Sequence, residues 1–145
     1  MEQTKIEALA TYLGVEENEI TEGYYTEGFS CNGTDEYLVL TEEEANDRVK
    51  EEIKNSLWAF RAEFIIEHCK NYEEMTMDEY NSAVESLRAA QEKCCESANG
   101  LVMALIDDMD EFIADAIDAD GRGHFLAQYD GDEIEQDDLY IYRVD

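Results

Sequence analysis

The chain has 145 residues, with 38 Asp and Glu against 10 Lys and Arg, giving a formal net charge of −28. Such an excess excludes direct binding to nucleic acid and to anionic membrane surfaces, both of which repel it. A hydrophobic content of 44%, with nine Tyr, five Phe and one Trp, excludes a disordered chain, and the length suits one domain, residues 1–145, around one core.

Taken in order, Thr4 is a candidate N-cap for a first helix with Ile6, Leu9, Ala10 and Leu13 on one face and Gly14 at its end. That helix is expected to pack on a sheet. Val15 to Glu22 reads as an acidic connector, and Tyr24 to Cys31 as a strand. Asn32-Gly33 then signals a type I′ hairpin turn into a partner strand, Glu36 to Leu40.

The most strongly patterned stretch is Thr41 to Cys69. Thr41 and Glu44 have capping-box spacing, and Glu42, Glu43 and Glu44 sit at the positive end of the helix dipole. Ala45, Val49, Ile53, Leu57, Phe60 and Phe64 follow in steps of three or four, which predicts one long helix. Trp58, Ile65 and Cys69 widen the stripe, so the first two turns are expected at the periphery and the last four in the core. Phe60→Ala should then cost about 3–5 kcal/mol.

Lys70 to Met75 reads as a polar connector, after which Thr76 and Glu79 form a second capping box. Tyr80, Val84, Leu87 and Cys94 mark the stripe of the helix it opens, expected antiparallel to the preceding one. Asn99-Gly100 is either a stop or a kink, and Leu101 to Ile106 is apolar enough to be buried all round. Asp107 to Asp118 reads as a helix capped by Asp108, its apolar face formed by Phe112, Ile113, Ala116 and Ile117, and broken by Asp120-Gly121. Phe125 to Tyr129 and Leu139 to Tyr142 alternate as strands joined by the acidic run Asp130 to Asp138. The expected fold class is α+β, a single domain in which a small antiparallel sheet, the N-terminal hairpin plus C-terminal strands, packs against three to four helices.

Chemical motifs are scarce. Around Gly121 a calcium loop would place Ala116 and Ala127 where carboxylates are required, and around Gly131 it would place Leu126 first, so neither fits. No metal site and no cofactor are expected, although loose divalent binding by clustered carboxylates stays open. Cys31, Cys69, Cys94 and Cys95 lack CxxC spacing and read as reduced, packed thiols rather than as a zinc site with His68. There is no GxSxG, HExxH or phosphate-cradling loop, so no enzyme is expected. His68 reads as a capping or packing residue. Arg122 and His124, in a glycine-flanked loop, form a candidate small binding site, with Arg122 paired to Asp120 as the simpler alternative. No basic n-region precedes an apolar run and no long apolar span occurs, so neither signal peptide nor membrane segment is expected, and a bacterial cytoplasmic setting is.

Glu36-Tyr-Leu-Val-Leu-Thr-Glu-Glu-Glu-Ala45, Asp120-Gly-Arg-Gly-His-Phe-Leu with Tyr129-Asp-Gly, and Tyr140-Ile-Tyr-Arg143 together resemble a group of small acidic proteins encoded by tailed bacteriophages. The resemblance covers the hairpin and the C-terminal third and implies expression in a bacterial host; it carries no residue role. Solubility, high-salt adaptation, cation binding and imitation of nucleic acid can each account for the charge. With 24 Glu to 14 Asp, high salt is the weaker account. In the phage setting, imitation of nucleic acid is the leading expectation: a non-enzymatic inhibitor occupying the DNA- or RNA-binding site of a basic host defence protein, such as a CRISPR effector or restriction enzyme. Carboxylates three or four residues apart on a helix lie about 5–6 Å from each other, on the scale of neighbouring phosphates. The candidate faces are Glu42, Glu43, Asp47 and Glu51 with Glu73, Glu74, Asp78 and Glu85, or the run holding Asp130, Asp132, Glu133, Glu135, Asp137 and Asp138. The alternative is an accessory module using the Arg122/His124 loop, with acidity serving solubility. Homo-oligomerisation stays open.

Overall fold

The computed structural model describes residues 2–145 and is α+β. Helix α1 (Glu2–Leu13) leads through a 3-10 turn (Glu17–Glu19) into strands β1 (Ile20–Glu22), β2 (Gly28–Cys31) and β3 (Asp35–Leu40). Helix α2 (Glu42–Asn55), a 3-10 turn (Leu57–Ala59), α3 (Ala62–Ile66) and α4 (Met77–Cys94) follow. Then come α5 (Asn99–Leu105), α6 (Met109–Asp120), α7 (Arg122–Leu126), β4 (Ile134–Gln136) and β5 (Leu139–Arg143). Cα packing divides the chain into two compact units, one formed by the residues up to Lys50 with Asp120–Asp145, the other by Glu51–Ala119.

The first unit holds an antiparallel sheet in the order β1-β2-β3-β5-β4. As expected from the sequence, the C-terminal strands extend the hairpin, because β5 pairs with β3. Ala8, Leu9 and Ala10 of α1 pack on Ile20, Phe29, Cys31, Tyr37, Val39, Leu139 and Ile141, alternate positions that share one sheet face. Leu38, Leu40 and Tyr142, on the other face, are buried too, so β3 alternates less than a strand with one wet face. Helix α1 starts at Glu2, placing Thr4 within it rather than at its cap, and Gly14 at φ +70° ends it. Asn32 and Gly33 adopt φ +57° and +74°, the turn the dipeptide predicts.

Three short elements differ from the sequence reading. The connector before Gly23 contains β1, Tyr24–Glu27 is a turn preceding a shorter β2, and the acidic run contains β4. Phe125 to Tyr129 is not a strand: Phe125 and Leu126 end α7, and Gly131 N–H donates to Ala127 O at 2.7 Å.

In the second unit the expected long helix is broken. Helix α2 stops at Asn55, and Ser56 turns its hydroxyl onto Glu52 O at 2.8 Å. Asn99 then donates to Lys54 O at 2.8 Å and accepts from Trp58 N–H at 3.0 Å, while Gln91 donates to Trp58 O and Phe60 O at 2.9 and 2.6 Å. Two amide side chains thus satisfy the backbone groups that the break exposes, which makes it affordable.

The first turns are not peripheral as expected, since Ala45 and Val49 are fully buried; in the later turns Ile53, Leu57 and Ile65 are fully buried as expected, whereas Phe60 and Phe64 are half-buried. Val84 and Leu87 of α4 are buried as expected, but Cys94 is exposed, so the stripe ends early. The chain turns at Cys95, φ +50°, and Asn99-Gly100 opens α5 instead of stopping a helix. Leu101 and Met103 face outward while Val102 is buried, so this segment is not buried all round. Phe112 is fully buried, its centroid 5.1 Å from that of Phe60 and 4.9 Å from that of Phe64.

Candidate partner-binding surface

Three of the ten cations, Lys5, Arg122 and Arg143, are drawn into contacts within the first unit, whereas Arg61, Lys70, Arg88 and Lys93 are exposed. Lys5 has only 2% of its side chain exposed, with Nζ 2.6 Å from Glu27 and 2.8 Å from Glu44. Burial pushes its ammonium toward neutrality, and the two carboxylates more than offset this, leaving its pKa raised. Glu44 also accepts from Thr41 N–H at 2.9 Å and donates its own N–H to the Thr41 hydroxyl, completing the predicted capping box.

Arg122 is the second inward cation. Gly121 at φ +82° starts α7, and a side chain at Gly123 would meet Gly131 O at 2.5 Å, so the second glycine permits close approach of the acidic segment. The Arg122 guanidinium donates to Glu133 at 2.7 Å, to Glu42 at 3.1 Å and to Asn46 at 2.9 Å, and lies 4.6 Å over the Tyr140 ring. Its partners come from α2, the acidic segment and β5, and the expected Asp120 is not among those seen. Hydrogen bonds from Tyr140 and Arg122 hold Glu42 below the usual carboxylate range. Tyr142, buried and donating to Glu133, has its phenol pushed well up. Arg122 is therefore the hub of a structural network, with 12% of its side chain exposed, and does not form a free anion site. His124 is exposed on α7, against Phe125, so the pair is neither a flexible loop nor a shared site.

Other cations also meet partners within the fold. Arg143 pairs with Asp35 at 3.2 Å and lies 3.7 Å over the Tyr129 ring, and Arg48 donates to Thr26 O at 2.6 Å. In the second unit Arg88 pairs with Glu63 at 3.0 Å. His68, expected as a packing residue, is one: it contacts Phe64 O and Asp115 at 2.8 Å each and packs on the Phe64 and Phe112 rings. Burial lowers its pKa, and Phe64 O with Asp115 more than offsets this to raise it. Among the described residues no three His, Cys, Asp or Glu side chains converge as metal ligands. Cys94 and Cys95 are exposed free thiols, contrary to the expectation of packed ones.

The expected acidic residues fall into separate groups. Glu43, Asp47 and Glu51 are exposed at successive turns of α2. In the second unit Glu73 and Glu74 lie on a 3-10 turn, while Asp78 and Glu85 stand two turns apart on α4, all exposed. The acidic run is a shaped hairpin: Asp130 accepts from Asp132 N–H at 3.0 Å, Glu135 stands on β4, and Asp137 and Asp138, at φ +53° and +65°, make the turn into β5. Glu42 and Glu133 are committed to Arg122.

Sequence reasoning missed the segment 23–28. Glu36, 9% exposed, accepts from the backbone N–H groups of Tyr24 and Tyr25 at 2.9 and 2.8 Å. Side chains at Gly23 or Gly28 would approach the Glu36 carboxylate to 2.9 and 2.8 Å, and these two glycines bracketing two tyrosines were the available signal. No family model, curated protein or solved structure matches the chain. No helix among the described residues is long and apolar enough to cross a membrane.

Proposed function

We propose that the protein is a non-enzymatic inhibitor that presents fixed carboxylates to a basic nucleic-acid-binding protein of a bacterial host, a CRISPR effector or restriction enzyme, and keeps nucleic acid from its groove. The observation that carries this reading is the excess of 38 carboxylates over 10 cations, of which Lys5, Arg122 and Arg143 are committed to contacts within the fold. Glu43, Asp47 and Glu51 repeat at i, i+4 spacing, about 5–6 Å between neighbours. Asp137 and Asp138 are held in a tight turn rather than on a mobile loop, which lowers the ordering cost of binding. The likeness to phage proteins supplies the setting. Complementary charge would steer association and make it sensitive to salt.

The test is capture from nuclease-treated bacterial lysate on the immobilised protein. A nucleic-acid-binding protein should be retained, released by duplex DNA and by raised salt. Reversing Glu43, Asp47 and Glu51 together to Lys should weaken its capture at least tenfold. Retention of no such protein, or retention indifferent to salt, overturns the reading.

A further inference from the structure

We propose that the segment Gly23–Gly28 is a preformed receptor for an arginine side chain of the basic partner; this rests on the reading of such a partner and names where it is gripped. A cavity of about 500 Å³ opens here, lined by Glu2, Lys5, Glu22, Tyr24, Glu27 and Glu44 among others. Tyr24 is 90% exposed and Tyr25 42%, their rings edge-to-face at 5.3 Å. An aromatic side chain so exposed contributes little to folding, yet the chain invests heavily in placing it.

The turn is tied from four directions. Glu36 holds the Tyr24 and Tyr25 N–H groups, Gly23 N–H donates to Gly28 O at 2.9 Å, and Gly28 N–H donates to Tyr25 O at 2.9 Å. Arg48 donates to Thr26 O at 2.6 Å, and Lys5 binds Glu27, which stands at φ +62°. The result is a tyrosine pair carried edge-to-face on a turn whose backbone is tied down, beside exposed Glu2 and Glu22. Aromatic rings flanked by carboxylates are what a guanidinium seeks: it stacks on the ring while its planar N–H fork donates to carboxylate oxygens. Lys5 does not compete for the role of guest, since its ammonium already satisfies Glu27 and Glu44 from below. A lysine of the partner fits less well, because its strongly hydrated point charge stacks poorly. Exposed tyrosine anchors also need little side-chain ordering on binding.

The probe is N-acetylated tetra-arginine amide, titrated into the full-length protein while backbone amide shifts are followed by NMR, with the matching lysine peptide alongside. The expected result is saturable shifts concentrated at Glu22–Gly28, tighter binding of the arginine peptide, and affinity about two- to fivefold weaker in Tyr24→Ala. Tyr24 is solvent-exposed, so this variant leaves the fold intact. Shifts spread evenly over the acidic residues, equal affinity for the two peptides, or unchanged affinity in Tyr24→Ala would each overturn the proposal. The two readings fail separately. Loop-centred peptide binding without capture of any host protein upholds the arginine receptor and removes the nucleic-acid mimic; host capture undiminished by Tyr24→Ala removes the receptor alone.

Discussion

Replacing Glu36 with Gln tests whether the 23–28 turn is held by a buried carboxylate. The wild-type side chain offers two acceptor oxygens to two backbone donors, Tyr24 N–H at 2.9 Å and Tyr25 N–H at 2.8 Å. Glutamine has nearly the same volume but one acceptor, so one N–H must face an NH2 group and the other loses its charged partner. A hydrogen bond to a charged group contributes about 1.5–3 kcal/mol. Losing one and weakening the second, with water able to reach a turn whose side chains are exposed, should destabilise the protein by about 2–3 kcal/mol. The loss is read from the urea midpoint, and its location from hydrogen exchange, in which the Tyr24 and Tyr25 amides should accelerate more than those of β3. A loss below about 0.5 kcal/mol with unchanged exchange at those two amides would refute the assignment.

Two further outcomes follow. Phe112→Ala, at a fully buried ring, should cost about 3–5 kcal/mol, and Phe60→Ala, at a half-buried one, about half as much; equal costs in denaturant titrations would place Phe60 in the core after all. His68 has a pKa raised in the folded state, so its contribution is fully present below its unfolded pKa of about 6.5 and is lost as pH rises through the folded value. The stability gap between wild type and His68→Gln should therefore narrow as pH rises above about 6.5, and a gap independent of pH would show that the Asp115 contact carries no charge.

Features resting on neighbours in sequence were legible and those resting on distant partners were not. Both capping boxes, at Thr41/Glu44 and Thr76/Glu79, close within three residues and stand where spacing put them. The Asn32-Gly33 turn is equally local. The break after Asn55 was illegible, because the apolar period continues through it and its cause lies in Gln91 and Asn99, far along the chain. Arg122 was given its nearest acid, Asp120, for the same reason, whereas the fold supplies Glu42 and Glu133. Strands β1 and β4 are three residues each, too short to display a period. Among the candidate site residues, the exposed ones on α2 and α4 were readable from helical spacing, while the 23–28 turn was hidden because Tyr24–Cys31 reads as strand until the Glu36 hydrogen bonds to Tyr24 and Tyr25 are seen.

The carboxylates accordingly divide by what faces them. Glu27, Glu36, Glu42, Glu44 and Glu133 each accept from a cation or a backbone N–H of the protein itself, so neutralising any of them removes a fold contact. Glu43, Asp47, Glu51, Asp78 and Glu85 are exposed on helices. Neutralising Asp47, Glu51 or Glu85 relieves self-repulsion and so should leave stability unchanged or raised, because surface charge in large excess opposes the compact state, whereas Glu43 and Asp78 stand in the first turns of α2 and α4 and interact favourably with the helix dipole. A protein selected for stability alone would shed Asp47, Glu51 and Glu85 first. The presence of carboxylates in such excess over the cations is what the proposed partner, a surface of opposite sign, would account for.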